Sequence, residues 1–389
     1  MPTSIAYENA NLPEGIRSRL VDNHNGLNMH VLEAGYEKPG RPCVLLLHGF
    51  PELAYSWRKI MLPLAEAGYY VIAPDQRGYG RTTGWDGNYD GDVDSYRITN
   101  LVRDIVGLLA ALGLKSVSAV FGHDAGSFVS AWCSLIRPDI FRSVALMSAP
   151  FGGPRPLPFT TANGAAAAPA GDIHAELAAL ARPRKHYQWY YSTRPANDEM
   201  VKCKQGIHDF MRAYYHHKSA DWKANKPHVL GGWKAEELAK MPTYYIMDLN
   251  ENMAQTVAHE MPTAAEIAAN RWLPDADLAV YTAEYTRNGY QGGLQWYRTM
   301  TGEKYLRELQ IFSGRTIDVP AMFISGKSDW GTYQNPGSVE RMSDVIMTDR
   351  RGFHLLDGAG HWVQQEQPEP TCRLLLDFLG RAEGTFKRP

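Results

Sequence analysis

The sequence predicts an α/β fold: a mostly parallel, doubly wound sheet interrupted by a long helical insertion. Three observations predict it. Short apolar runs recur, each followed by a turn residue. Helical periodicity fills the gaps between them. One long stretch in the middle carries helical pattern and almost no strand pattern. Runs without alternation suit strands buried on both faces of a parallel sheet, and their alternation with helices implies right-handed βαβ crossovers.

In chain order, the first two strands are expected at Cys43–Leu47 and 69–73, with a helix over 54–67 between them. A second helix spans 96–112. Its apolar residues Ile98, Leu101, Val102, Ile105, Leu108, Leu109 and Leu112 form an i, i+3, i+4 stripe. Strands follow at 117–121 and Val144–Met147. Beyond Pro150 the composition changes. Residues 152–171 are rich in Gly, Pro and Ala and read as an irregular loop. Residues 172–312 are helical in pattern and dense in Tyr and Trp, with 244–247 an ambiguous strand-like stretch. Strand pattern returns at 319–325 and 353–356, and a helix over 367–381 closes the chain. The expected organisation is a core over 1–151, a helical cap over 152–312 and the rest of the core over 313–389.

Composition narrows the function. The 389 residues are 44% hydrophobic and 21% charged, enough for a large buried core. The 40 Lys and Arg against 42 Asp and Glu leave a net charge of -2, which lacks the basic footprint of a nucleic-acid binder. No apolar run is long enough for a membrane span. The polar start Met1-Pro2-Thr3-Ser4 gives no expectation of a signal peptide. Cys43, Cys133, Cys203 and Cys372 are dispersed, which points to a reducing, cytoplasmic compartment. Neither metal nor cofactor is expected. There is no H-E-x-x-H or Cys/His cluster, and His216-His217 reads as a solvated pair. Gly326-Lys327-Ser328 fails as a phosphate loop because Ala321 stands where its first glycine must be. Gly78-Tyr79-Gly80 lacks the third glycine of a dinucleotide fingerprint.

Active groups of such sheets gather at the carboxyl ends of strands. After 117–121 comes Gly122-His123-Asp124-Ala125-Gly126, a strand–turn–helix elbow that lifts its central side chain above the sheet. That side chain is Asp124, and a carboxylate there can attack carbon and form an ester. Standing alone, Asp124 would read as a helix cap. After Cys43–Leu47 comes His48-Gly49-Phe50-Pro51-Glu52, placed to offer the Phe50 N–H to an oxyanion hole together with the Ala125 N–H. After 319–325 comes Asp329, and after 353–356 comes His361. The chain order nucleophile, acid, base is that of a hydrolytic triad, with Asp329 orienting His361 and His361 activating water. Ser148-Ala149-Pro150-Phe151 offers no rival acid.

Together with Asp75-Gln76-Arg77-Gly78-Tyr79-Gly80 and Gly360-His361-Trp362, these motifs resemble the α/β-hydrolase epoxide hydrolases. Phe50-Pro51-Glu52 is similar to that group rather than to the related haloalkane dehalogenases. The resemblance implies two cap tyrosines that hydrogen-bond the epoxide oxygen. Tyr297 in Leu294-Gln295-Trp296-Tyr297-Arg298 matches one. Tyr187 matches the other, with Tyr190 and Tyr191 as neighbouring alternatives. It also implies a small apolar epoxide as substrate, a possible homodimer, and a pocket between cap and sheet lined by Phe50, Pro51, Trp189, Trp296 and Trp362. Two features depart from the pattern: Ala125 replaces a frequent Trp, and the cap is longer. A dehalogenase using the same Asp ester, and a non-catalytic binding protein, are the competing readings.

Overall fold

The computed structural model describes Tyr7 and residues 12–157 and 171–384. Most of the loop expected over 152–171 therefore lies outside the described residues. An eight-stranded sheet forms from β1 (Ile16–Asp22), β2 (Asn28–Ala34), β3 (Cys43–Leu47), β4 (Tyr70–Pro74), β5 (Ala119–His123), β6 (Val144–Met147), β7 (Ala321–Gly326) and β8 (Arg350–Leu356). Its order is β1-β2-β4-β3-β5-β6-β7-β8. The β1/β2 and β2/β4 pairs are antiparallel and the remaining pairs are parallel.

The first two strands carry no sequence signal of a buried run, and the reason is charge. Arg17 and Arg19 project from edge strand β1, and β2 buries Glu33. Arg17 Nε and Arg19 Nε donate to Glu33 Oε2 at 2.9 and 2.7 Å, and the Tyr70 hydroxyl also donates to this carboxylate. A buried charge is tolerated because it is fully paired. The third predicted strand is shifted. Pairing in β5 starts at Ala119, while Val117 makes only an isolated bridge to Phe141.

Helices α1 (Arg58–Glu66), α2 (Ile98–Ala111) and α3 (Ala125–Ile136) pack on this sheet. The stripe of α2 is buried at Leu101, Val102, Ile105, Leu108 and Leu109, as its spacing requires. The helix expected over 54–67 opens as a 3₁₀ turn, Ala54–Trp57, before α1.

Between β6 and β7 the chain forms a helical layer whose main members are α4 (Tyr187–Tyr191), α5 (Gly206–Lys218), α6 (Asp275–Asn288) and α7 (Gln291–Thr301). The ambiguous stretch at 244–247 contributes to a short strand, Ile246–Asp248, paired antiparallel with Arg184–His186. His216 and His217 are not solvated: α5 is a central cap helix, and His217 is fully buried between the rings of Trp222 and Tyr244. The cap docks on loops at the carboxyl end of the sheet. Asp277 accepts from Arg58 Nη2 at 2.5 Å and the Tyr55 hydroxyl at 2.9 Å, and Glu284 accepts from Arg81 Nε at 2.8 Å. Helix α8 (Pro368–Glu383) closes the core after β8.

Candidate active site

The elbow between β5 and α3 holds Asp124 at φ 52 and ψ -120, a backbone region that non-glycine residues rarely occupy and that commonly marks a functional position. The turn is tight because its glycines have no side chains. A Cβ on Gly122 would stand 2.1 Å from the Gly126 carbonyl oxygen, and one on Gly126 would stand 2.2 Å from that of Leu47. Asp124 sits at the N-cap position but makes no side-chain cap hydrogen bond. Its Oδ1 accepts the Phe50 N–H at 2.9 Å, and its Oδ2 lies 3.2 Å from His361 Nε2.

His361 is fully buried, with Nδ1 3.1 Å from Asp329 Oδ1. Asp329 is itself held by the Gly331 N–H to Oδ1 at 2.7 Å and by the Ser325 hydroxyl to Oδ2 at 2.9 Å. The structure thus brings Asp124, His361 and Asp329 into one line, contributed by the ends of β5, β8 and β7. Burial pushes both carboxyls up, and the hydrogen bonds and charge of His361 pull them down further, so both rest below the usual carboxylate range.

The two expected oxyanion donors flank Asp124. Phe50 N–H already contacts its carboxylate. The Ala125 amide opens α3 directly behind it, 2.8 Å from where a Gly49 Cβ would lie. Phe50 also packs its ring against Tyr191 and Tyr297, with centroids 5.2 and 5.5 Å apart. Pro51, joined to Phe50 by a cis peptide bond, accepts at its carbonyl from the Tyr215 hydroxyl at 3.1 Å.

Tyr187 and Tyr297 face each other across the cap, with ring centroids 6.0 Å apart. Burial first, and the Asp124 carboxylate second, push both phenols well above their ordinary value, so both stay protonated donors. The Tyr187 hydroxyl donates to Gln334 Oε1 at 3.1 Å and accepts from Gln188 Nε2 at 3.2 Å. The alternative Tyr190 turns away and donates to Glu199 Oε2 at 2.7 Å, whereas Tyr191 shares the inner face and packs on Tyr297 at 4.9 Å.

The tryptophans divide. Trp296 is buried beside a cavity of about 520 Å³ that reaches Ala125 and Gln188, neighbours of Asp124 and Tyr187. Phe128, Trp132, Phe151 and Met300 supply its apolar wall. Trp189 is a correction to the expected pocket lining. Two residues beyond Tyr187 on a helix, it points to the opposite side and packs on His174 and His186 at 4.5 and 5.0 Å. Trp362 is a second correction. It is fully buried, its indole N–H donates to the Tyr215 carbonyl at 2.9 Å, and its ring backs His361 at 4.7 Å.

Three residues escaped the sequence reading of roles. His123 places Nδ1 2.6 Å from Glu52 Oε2 and Nε2 2.6 Å from the carbonyl oxygen of His361. Burial raises Glu52, but the charge and hydrogen bond of His123 prevail and keep it ionised. Both neighbours of His123 then only accept, so both its nitrogens carry protons and the ring is cationic. Both residues stood in quoted motifs, but their pairing is a tertiary fact. The third is Lys218, the last residue of α5, whose backbone carbonyl accepts the His361 N–H at 2.9 Å. Among the described residues no cluster of three or more His, Cys, Asp or Glu side chains could hold a metal ion, and no helix is long and apolar enough to cross a membrane.

Residues 42–368 match the alpha/beta hydrolase fold family. Epoxide hydrolase B of Mycobacterium tuberculosis is 33% identical over 361 residues, covering 92% of this chain and 97% of that protein. Epoxide hydrolase A of the same organism is 33% identical over 370 residues, covering 93% and 96%. Among solved structures, an epoxide hydrolase from an endophytic Streptomyces superposes with a TM-score of 0.75 at 28% identity, covering 96% of this chain and 98% of that one. Epoxide hydrolase A from Mycobacterium thermoresistibile gives 0.72 at 31% identity, covering 94% and 98%. Sheet order, elbow and near full-length similarity agree: the chain belongs to the α/β-hydrolase fold family and, within it, to the epoxide hydrolases.

Proposed function

We propose that this enzyme opens a small apolar epoxide to a vicinal diol through an ester on Asp124. The observation that carries the reading is the line Asp124–His361–Asp329 with two protonated phenols, Tyr187 and Tyr297, on the cap above it. Asp124 Oδ2 attacks one oxirane carbon, the C–O bond breaks, and a tyrosine gives its proton to the departing oxygen. Oδ1, on the Phe50 N–H, becomes the ester carbonyl oxygen. His361 then takes a proton from water, which attacks the Asp124 ester carbon. The Phe50 and Ala125 N–H groups receive the developing oxyanion, and Asp329 stabilises the imidazolium. Of the two water protons, one leaves on the diol through His361 and the other returns to the tyrosinate. The cavity beside Trp296 suits an apolar group attached to the oxirane. With Ala125 after the nucleophile there is no indole donor there to hold a halide, which disfavours dehalogenation. The four free cysteines suit a reducing cytoplasm.

The test is a single turnover in heavy-oxygen water with enzyme in excess over an aryl or alkyl epoxide. The label should enter Asp124 and stay out of the first diol formed. Label going directly into the diol overturns the ester route.

A further inference from the structure

One buried cation of the cap has no part in the steps above. Lys218 closes α5 with its side chain only 3% exposed. What surrounds its ammonium is aromatic: Nζ lies 5.4, 5.8, 5.1 and 5.4 Å from the ring centroids of Tyr214, Tyr244, Tyr245 and Trp362. It is also hydrogen-bonded to the Tyr214 hydroxyl. Trp362 in turn stands 4.7 Å from His361, so the ammonium, 5.4 Å from Trp362, is within about 10 Å of the imidazole. The backbone fixes the arrangement, because the Lys218 carbonyl holds the His361 N–H at 2.9 Å. Glu366 clamps the same seam. It accepts from the Ala220 N–H of the cap and from the Gly360 and Trp362 N–H groups on either side of His361.

A buried lysine this close to a catalytic base needs a reason, since taking an ammonium out of water is costly. The charges around His361 supply one. The elbow brings Asp124 and cationic His123, the latter already matched by Glu52. The loop after β7 brings Asp329. The short helix after His361 brings Glu366, whose carboxyl is pushed up to about 8 by burial so that it is not a charge at pH 7, and the cap brings Lys218. Asp124 and Asp329 therefore stand against the two nitrogens of one imidazole, and once Asp124 has become an ester Asp329 is the carboxylate left beside it, favouring its charged form. A base that stays protonated cannot activate water.

We propose that Lys218 is a positioning residue of the hydrolytic step: its ammonium offsets the Asp329 carboxylate, the one left beside the ring once Asp124 is an ester, so that His361 meets water as the neutral base. The ammonium is among the groups that hold Asp124 and Asp329 low, after burial, which raises them, and His361, which lowers them most. The inference rests on the two-step ester reading. A charge at about 10 Å in a medium of effective dielectric about 20 moves a titration by about one pH unit.

The experiment follows formation and decay of the Asp124 ester by rapid quench and mass spectrometry, from pH 5 to 9. The proteins are wild type, Lys218→Met, Lys218→Gln and Lys218→Arg. Methionine fills a similar volume among the same rings, so the fold should be retained, and glutamine provides a second neutral variant. In both neutral variants ester decay should slow by up to about tenfold on the acid side of its profile, its acid-side midpoint should rise by about one unit, and ester formation should change less than threefold. Arginine should restore decay to within threefold of wild type. Parallel loss of formation and decay, an unmoved midpoint, or failure of arginine to rescue overturns the assignment. Absence of any Asp124 ester in wild type overturns instead the reaction scheme beneath it.

Discussion

Asp329→Asn isolates what the buried acid contributes. The substitution keeps size and shape. The asparagine oxygen can still accept from Gly331 N–H and His361 Nδ1, and what disappears is the negative charge 3.1 Å from the ring. At an effective dielectric of about 20, a unit charge pair at that distance is worth about 332/(20 × 3.1), or about 5 kcal/mol. The surviving neutral hydrogen bond retains part of this, so about 3–5 kcal/mol of imidazolium stabilisation is lost, which is about 10²–10⁴ in rate. The loss falls on the hydrolytic step, where the imidazolium forms. The attack of Asp124 on the oxirane creates no charge on His361. Mixing excess enzyme with a chromogenic epoxide and quenching at intervals should show ester forming within about threefold of the wild-type rate and then persisting. If formation slows as much as decay, or no ester accumulates, Asp329 does not act through the imidazolium and the argument fails.

Three further outcomes follow from the same geometry. Tyr187→Phe and Tyr297→Phe should each slow ester formation by about 10²-fold, since each removes a donor to the developing alkoxide, with little change in decay; quench kinetics of both steps checks this. Gly49→Ala should cost at least about 10² in turnover, because its Cβ would stand 2.4 Å from Asp124 Oδ1 and crowd the oxyanion donors. A Gly49→Ala enzyme with wild-type kcat would contradict the packing of the elbow. Glu52→Gln tests the buried pair through pH. Glu52 is held below its ordinary 4.5, so its contribution is complete above that pH and lost as pH falls through the depressed value. His123 is raised above its ordinary 6.5, because the Glu52 charge outweighs burial, so its contribution is complete below 6.5 and lost as pH rises through the raised value. The Tm difference between wild type and Glu52→Gln should therefore peak between about pH 4.5 and 6.5. A difference constant from pH 3 to 9 would show the pair is not ionised.

The order Asp124, Asp329, His361 was legible because each residue follows an apolar run or a glycine turn, and those signals are local. Strands β3 to β7 were legible for the same reason, since a strand buried on both faces must be apolar along its whole length, whereas the edge strand β8 showed only its apolar half, 353–356. Strands β1 and β2 were not, because an edge strand can carry arginines and because Glu33 is paid for by partners distant in sequence. The inner and outer faces of a five-residue helix separate Tyr187 from Trp189, and no periodicity over so few residues reveals which face is turned inward. The same holds for Glu52, His123 and Lys218. A sequence reports the chemistry of each side chain and its near neighbours. Which buried charge meets which depends on strand order, for Glu52 and His123, and on how the cap lies on the sheet, for Lys218 and His361.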